Sequence, residues 1–121
     1  QAWSSAASDV YKRQDISPVC HMPDVIEAPY RPSLMNEPVK GEKVVLGGPS
    51  CLAGDTIGQY NFLKKPKIGD KIVFLDQAHY TLVKTNFFNG INHPEVVIWN
   101  SDTNDLKVIK SFDFKDFEIR N

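Results

Sequence analysis

Cysteine is nearly absent from this sequence: Cys20 and Cys51 are the whole complement. They form neither a zinc-ligand spacing nor a disulfide framework, a pattern that suits a reducing, cytoplasmic compartment. The three histidines, His21, His79 and His93, include no HxH or HxxxH pair, which argues against a metal site. An excess of one charge is lacking too. A formal net charge of -1, with 24% of residues charged, provides no basic field for nucleic acid. No apolar run approaches the roughly 20 residues needed to cross a bilayer, so no membrane partner is expected. There is no internal repeat and no low-complexity tract. What remains is 121 residues, enough for one domain that buries about two-thirds of its unfolded-chain surface.

Residues 1–14 read differently from the rest. They lack an initiator methionine, an apolar signal-peptide core and any clear period. The wording Ser4-Ser5-Ala6-Ala7-Ser8-Asp9-Val10-Tyr11-Lys12-Arg13-Gln14 resembles translated adapter sequence and reads as a non-native or disordered leader. The competing reading is a native helix capped at Ser8. On the leader reading, residues 15–121 are the domain and the chain is the C-terminal piece of something longer.

Beyond the leader, Asp15–His21 reads as a short strand with Pro18 at its entry. Asp24 can begin a helical turn, and Ala28–Ser33 is extended because each residue before a proline leaves the α region. Glu42–Gly47 and Thr56–Phe62 read as strands, Lys64–Asp70 as a solvated basic turn, and Lys71–Asp76 as the clearest buried strand. Tyr80–Val83 resumes extended structure before the Asn89-Gly90 turn signal. Glu95–Trp99 and Leu106–Lys110 read as a hairpin, and Ser111–Arg120 as a short helix. The punctuation argues a mainly all-β domain, a barrel or sandwich with a short C-terminal helix.

One stretch stands apart. Gly47-Gly48-Pro49-Ser50-Cys51-Leu52-Ala53-Gly54-Asp55 packs three glycines, a proline, a thiol and a carboxylate behind an apolar run. Such a loop is sharply shaped, because glycine admits φ > 0 and proline fixes its own φ. It is either a structural turn with a small buried thiol or a rigid presentation of Cys51 and Asp55.

The loop, followed by Gly69-Asp70, Ala78-His79-Tyr80-Thr81 and Phe88-Asn89-Gly90, resembles the C-terminal domain of fold-type III decarboxylases. These are pyridoxal-phosphate enzymes related to ornithine, diaminopimelate and arginine decarboxylases and to alanine racemase. Cys20-His21-Met22-Pro23-Asp24 and Pro29-Tyr30-Arg31-Pro32 most resemble the carboxynorspermidine/carboxyspermidine decarboxylase family. The resemblance runs from about residue 15 to 115 of the sequence. It implies the β-barrel or sandwich domain of a homodimer with shared active sites. The cofactor, pyridoxal 5'-phosphate, would be carried by a lysine in an N-terminal α/β barrel absent from this chain. The fragment alone is then expected to be inactive.

By the same resemblance, Cys51 is the catalytic proton donor in the neighbouring subunit's site, and Tyr80 contacts the cofactor phosphate in its own. Asp55 matches a carboxylate that pairs across the dimer interface. His79 receives no role. The acidic residue that follows the cysteine in ornithine and diaminopimelate decarboxylases is Leu52 here. Glu27 stands where an arginine of diaminopimelate decarboxylases holds a distal carboxylate, although a shift of a few residues would place Arg31 there. Glu27, helped by Asp24, is therefore expected to read the amine tail of a polyamine precursor. The alternatives are a diaminopimelate or other basic amino-acid decarboxylase, and a non-catalytic stand-alone β-barrel module.

Overall fold

The computed structural model describes residues 11–120. A three-stranded sheet of order β1-β2-β3 lies at its centre. Tyr11–Arg13 (β1) runs parallel to Glu42–Gly47 (β2), which pairs antiparallel with Thr56–Phe62 (β3). The sheet therefore begins inside the segment read as a leader, because residues 11–13 find ladder partners from Val45 to Gly47. Residues 1–10 of that segment lie outside the described residues.

Alternation places Val44 and Leu46 of β2 in the core and Lys43 on the opposite face, while Glu42 is exposed at the start of the strand. In β3, Leu46 pairs with Gly58 and Gly47 with Thr56, leaving Ile57 as an extra residue. This bulge, with Gly58 at φ 151, lets Ile57 and Tyr60 both face inward although they are three residues apart. Met22, Val25 and Leu34 complete the core, with Ile16, Phe62, Ile72 and Phe74 packed against it. Tyr60 is its largest member and is only 1% exposed. Its hydroxyl donates to Pro32 O at 2.8 Å, and Phe74 meets its ring edge-on at 5.6 Å between centroids. Burial, foremost, pushes the ionisation of this phenol up to about 12.

Short helices occupy places where strands were expected. Pro18–His21 (α1) is helical because Ser17 caps it, accepting from Cys20 N at 3.3 Å, and Pro18 sits at the first position, where its missing N–H costs nothing. Pro23–Glu27 (α2) follows directly, carrying the helical turn expected around Asp24. Tyr80–Val83 (α3) closes as a helical turn through Lys84 N to Tyr80 O at 2.9 Å. The apolar run 71–76 forms only one bridge, Phe74 to Leu34; Gly69 at φ 95 and Asp76 at φ 58 turn the backbone on either side. Its apolarity reports packing of Ile72 and Phe74 on the core, not ladder formation.

The remaining expectations match. Val96–Asn100 (β4) and Asp105–Lys110 (β5) form a second, two-stranded sheet, and Phe114–Arg120 (α4) is the terminal helix. An aromatic stack in which Phe87 lies 3.8 Å from the His93 ring, with Phe112 and Phe117 edge-on, ties α4 to the segment before β4. The domain is mainly β with a few short helices.

Candidate functional site

The loop between β2 and β3 is built around Asp55, which is 2% exposed. Its Oδ1 accepts from Ser17 Oγ at 2.9 Å and Val19 N at 3.1 Å, and its Oδ2 from Ser50 N at 2.9 Å. The backbone closes the same loop through Gly48 N to Asp55 O at 2.8 Å and Asp55 N to Leu52 O at 3.1 Å. Gly48 is obligatory in this arrangement, because a Cβ there would lie 2.3 Å from Asp55 Oδ2. Asp55 is thus an interior brace. Both carboxylate oxygens are engaged inside its own chain, whereas the resemblance implies a pairing of this residue across a dimer.

With the loop held from beneath, Cys51 is presented at its exposed surface, flanked by an exposed Leu52. Asn89, at the centre of the 3-10 turn Phe88–Gly90, donates Nδ2–H to Cys51 Sγ at 3.1 Å. The buried thiol of this chain is the other one. Cys20 is 0% exposed, its Sγ donates to Phe88 O at 3.4 Å, and burial pushes its ionisation up.

A second cluster forms around α2 and α3. Asp24, Tyr30, Asp76, His79, Tyr80 and Thr81 help to line an open cleft of about 690 Å³. Asp24 accepts from Tyr30 OH at 2.7 Å and from the buried Thr81 Oγ1 at 3.2 Å, so its carboxylate is oriented by the cleft wall. The Tyr30 hydroxyl is held protonated to higher pH, first by partial burial and then by this bond to Asp24. Tyr80 opens α3 and is 69% exposed, with Lys84 Nζ 5.7 Å from its ring centroid. Two acidic groups among aromatic rings make a cleft suited to a cationic amine.

The expected site residues therefore separate. Asp24 and Tyr80 share the cleft, with His79 at its rim. Cys51 is not among the residues that line it. Glu27 also lies outside, exposed on α2 and ion-paired with Lys84, a contact that raises the lysine's ionisation. Arg31, the alternative at that position, is occupied structurally: it pairs with Glu37, donates Nε–H to Gln59 O at 3.0 Å and lies 3.9 Å over the Tyr60 ring. Asp76 and Asn89 were missed by sequence reasoning. Asp76 reads in the sequence as a strand boundary, and Asn89 as a turn residue within a motif of the family resemblance, with no role for its side chain. Among the described residues, no cluster of His, Cys, Asp and Glu could hold a metal ion, and no helix is long and apolar enough to cross a membrane.

No protein-family profile matches the chain. Individual proteins do. It is 44% identical to a carboxynorspermidine/carboxyspermidine decarboxylase of Campylobacter jejuni, an alignment covering 88% of this chain and 31% of that protein. It is 40% identical to a carboxyaminopropylagmatine decarboxylase of Synechocystis, over 88% of this chain and 28% of the relative. The crystal structure of Campylobacter jejuni carboxynorspermidine decarboxylase complexed with norspermidine superposes with a TM-score of 0.84 at 41% identity, covering 92% of this chain and 34% of that one. The chain thus spans about a third of the length of these relatives. In fold and sequence the chain matches the C-terminal domain of a decarboxylase, mostly strands with a few short helices. Within that class, it is a homologue of the carboxynorspermidine/carboxyspermidine decarboxylases.

Proposed function

We propose that the protein containing this segment is a pyridoxal-phosphate-dependent carboxy-lyase of polyamine synthesis. It converts carboxynorspermidine or carboxyspermidine to norspermidine or spermidine, as a cytoplasmic homodimer with shared active sites. The observation that carries the reading is Cys51, an exposed thiol on an internally braced loop of a fold shared with a norspermidine-bound decarboxylase.

The residues present fit the cofactor. Supporting that fit, Tyr80 is 69% exposed and lines an open cleft, where its hydroxyl would donate to a phosphate oxygen. When bound, the cofactor would supply an electron sink for the pair left on the substrate carbon after loss of CO2. The substrate carbon then needs a proton, and the exposed Cys51 thiol is a competent general acid. Cys51 lies outside the Asp24–Tyr80 cleft, which accords with Tyr80 serving its own subunit and Cys51 the neighbour. Asp24, with Asp76 in the same cleft, attracts an ammonium of the substrate tail. Leu52 beside the thiol withholds the carboxylate that a shorter basic amino acid would need there.

The test is made on the protein with its upstream sequence, with and without added pyridoxal phosphate. Carboxynorspermidine, carboxyspermidine, carboxyaminopropylagmatine and diaminopimelate are compared by kcat/KM. Cofactor-dependent release of norspermidine or spermidine is expected, with most turnover lost in Cys51→Ala. Preference for carboxyaminopropylagmatine, suggested by the Synechocystis relative, would keep the class and change the substrate. Preference for diaminopimelate overturns the reading.

A further inference from the structure

Asn89 occupies a left-handed backbone conformation, φ 58, inside the turn Phe88–Gly90. For the turn alone glycine would be the easier residue, because it carries no Cβ penalty at positive φ. What asparagine adds is a carboxamide, and its Nδ2–H is directed at Cys51 Sγ, 3.1 Å away. An exposed thiol on a loop would otherwise rotate among its χ1 wells. One donor at this distance selects a position for the sulfur.

The chain holds the two segments that make this contact on a common support. Ser17–His21 is gripped by Asp55, through Ser17 Oγ and Val19 N. It is also joined to the segment carrying Asn89. Asn86 donates N–H to Cys20 O at 2.9 Å and Nδ2–H to Val19 O at 2.8 Å. The Cys20 thiol donates to Phe88 O. His21 accepts from Ser17 N at its Nδ1, 3.1 Å away, which leaves Nε2–H to donate to Asn92 O at 2.9 Å. The loop of Cys51 and the turn of Asn89 are therefore both tied to Ser17–His21 and fixed relative to one another.

The geometry points to Asn89 as a positioning residue for the Cys51 thiol, setting where the sulfur stands and donating to it as it gives up its proton. This rests on the reading of Cys51 as proton donor. In that step the S–H bond breaks, the proton passes to the substrate carbon that has lost CO2, and the electron pair stays on sulfur. Asn89 Nδ2–H then donates to a thiolate, and a hydrogen bond to an ionised partner is roughly twice as strong as one to a neutral partner. The contact thus favours the state after proton transfer over the state before it, which is the requirement for accelerating the step.

Two substitutions separate this role from a turn-forming one. Asn89→Gly keeps the left-handed backbone and deletes the donor. Asn89→Asp keeps the shape and the tolerance of positive φ but sets a carboxylate against the sulfur. The readout is alkylation of Cys51 by iodoacetamide in the native chain at neutral pH, followed by mass spectrometry. Fully buried Cys20 stays unmodified and certifies that each variant is folded. Alkylation is expected to slow about fivefold to tenfold in Asn89→Gly, the effect of one charge-assisted hydrogen bond, and further in Asn89→Asp. Wild-type alkylation rates in both folded variants overturn the proposal. In the decarboxylase carrying this segment, Asn89→Gly is expected to lower kcat with KM unchanged. Full turnover by Cys51→Ala there would instead refute the reading of Cys51 itself, whatever the alkylation rates show.

Discussion

Replacing Asp55 by asparagine tests whether this carboxylate is an internal brace or a contact to another subunit. The side chain is 2% exposed and accepts three hydrogen bonds, two from backbone N–H groups of Val19 and Ser50 and one from Ser17 Oγ. Asparagine keeps the volume but turns one acceptor into a donor, so at least one buried N–H or O–H loses its partner. The negative charge that strengthened the others is lost with it. Hydrogen bonds to charged groups are worth about 1.5–3 kcal/mol each, and a buried donor left unpaired costs about 1–3 kcal/mol. Allowing for partial relaxation, Asp55→Asn is expected to destabilise by about 2–4 kcal/mol, a large share of the ~5–15 kcal/mol typical of a domain. Ser17→Ala, which removes one of the three bonds and the cap of α1, should lose about 2–4 kcal/mol, and the double variant less than the sum because the groups share a network. Urea unfolding provides the assay, with the midpoint falling at unchanged slope. It is run at two widely separated protein concentrations, since a contact between subunits makes stability concentration-dependent and an internal brace does not. A loss below about 0.5 kcal/mol in Asp55→Asn, or one that appears only at the higher concentration, would refute the brace.

Three further outcomes follow from the geometry. His21 has its ionisation lowered, chiefly by burial, so the unfolded chain binds the proton more readily than the folded one. Stability is therefore level above about pH 6.5 and declines as pH falls below it, by at most about 1.4 kcal/mol per pH unit. His21→Gln should flatten that decline in unfolding measured across the acid range, and an unchanged slope would clear His21 of responsibility. Tyr60→Phe leaves Pro32 O without its buried donor and should cost about 1–3 kcal/mol in thermal or urea unfolding. In the unsubstituted chain, spectroscopic titration should find one phenol ionising near pH 12. In the decarboxylase reaction, Asp24→Asn should raise KM for the polyamine precursor about tenfold, the effect of one lost charge contact. Glu27→Arg should change kcat/KM less, because Glu27 pairs with an exposed lysine outside the cleft. The reverse ranking in steady-state kinetics would return the amine-reading role to Glu27.

The elements legible in the sequence were those whose signal is local. Strands β2 and β3 and the hairpin of β4 and β5 show in their apolar runs and in the turn residues between them. Helix α1 departs from the strand that Val19 and Cys20 favour because the Ser17 cap and Pro18 at the first position decide the backbone there. Segment 71–76 was misread for a different reason: apolarity reports burial, and only a neighbouring strand could have made it part of a ladder. In the site, the shape of the Cys51 loop was legible from its glycines and proline. Exposure of the thiol was not, and neither was the grip of Asp55 on residues 36 and 38 positions away. Asn89 reaches Cys51 across a separation of 38 residues, a pairing that no local period encodes.

The support beneath the loop also dictates when in folding the thiol can be placed. Its ties join positions 36 to 38 residues apart to one partner segment and 66 to 71 residues apart to the other. Closing loops of that length is entropically costly and is repaid only when both ends are in place. During synthesis from the N-terminus, α1 and the loop of residues 48–55 leave the ribosome before Asn86–Asn92 emerges to clamp them. The β2–β3 hairpin can form early from neighbouring residues, but Cys51 acquires its final address only after the turn at Asn89 has been made.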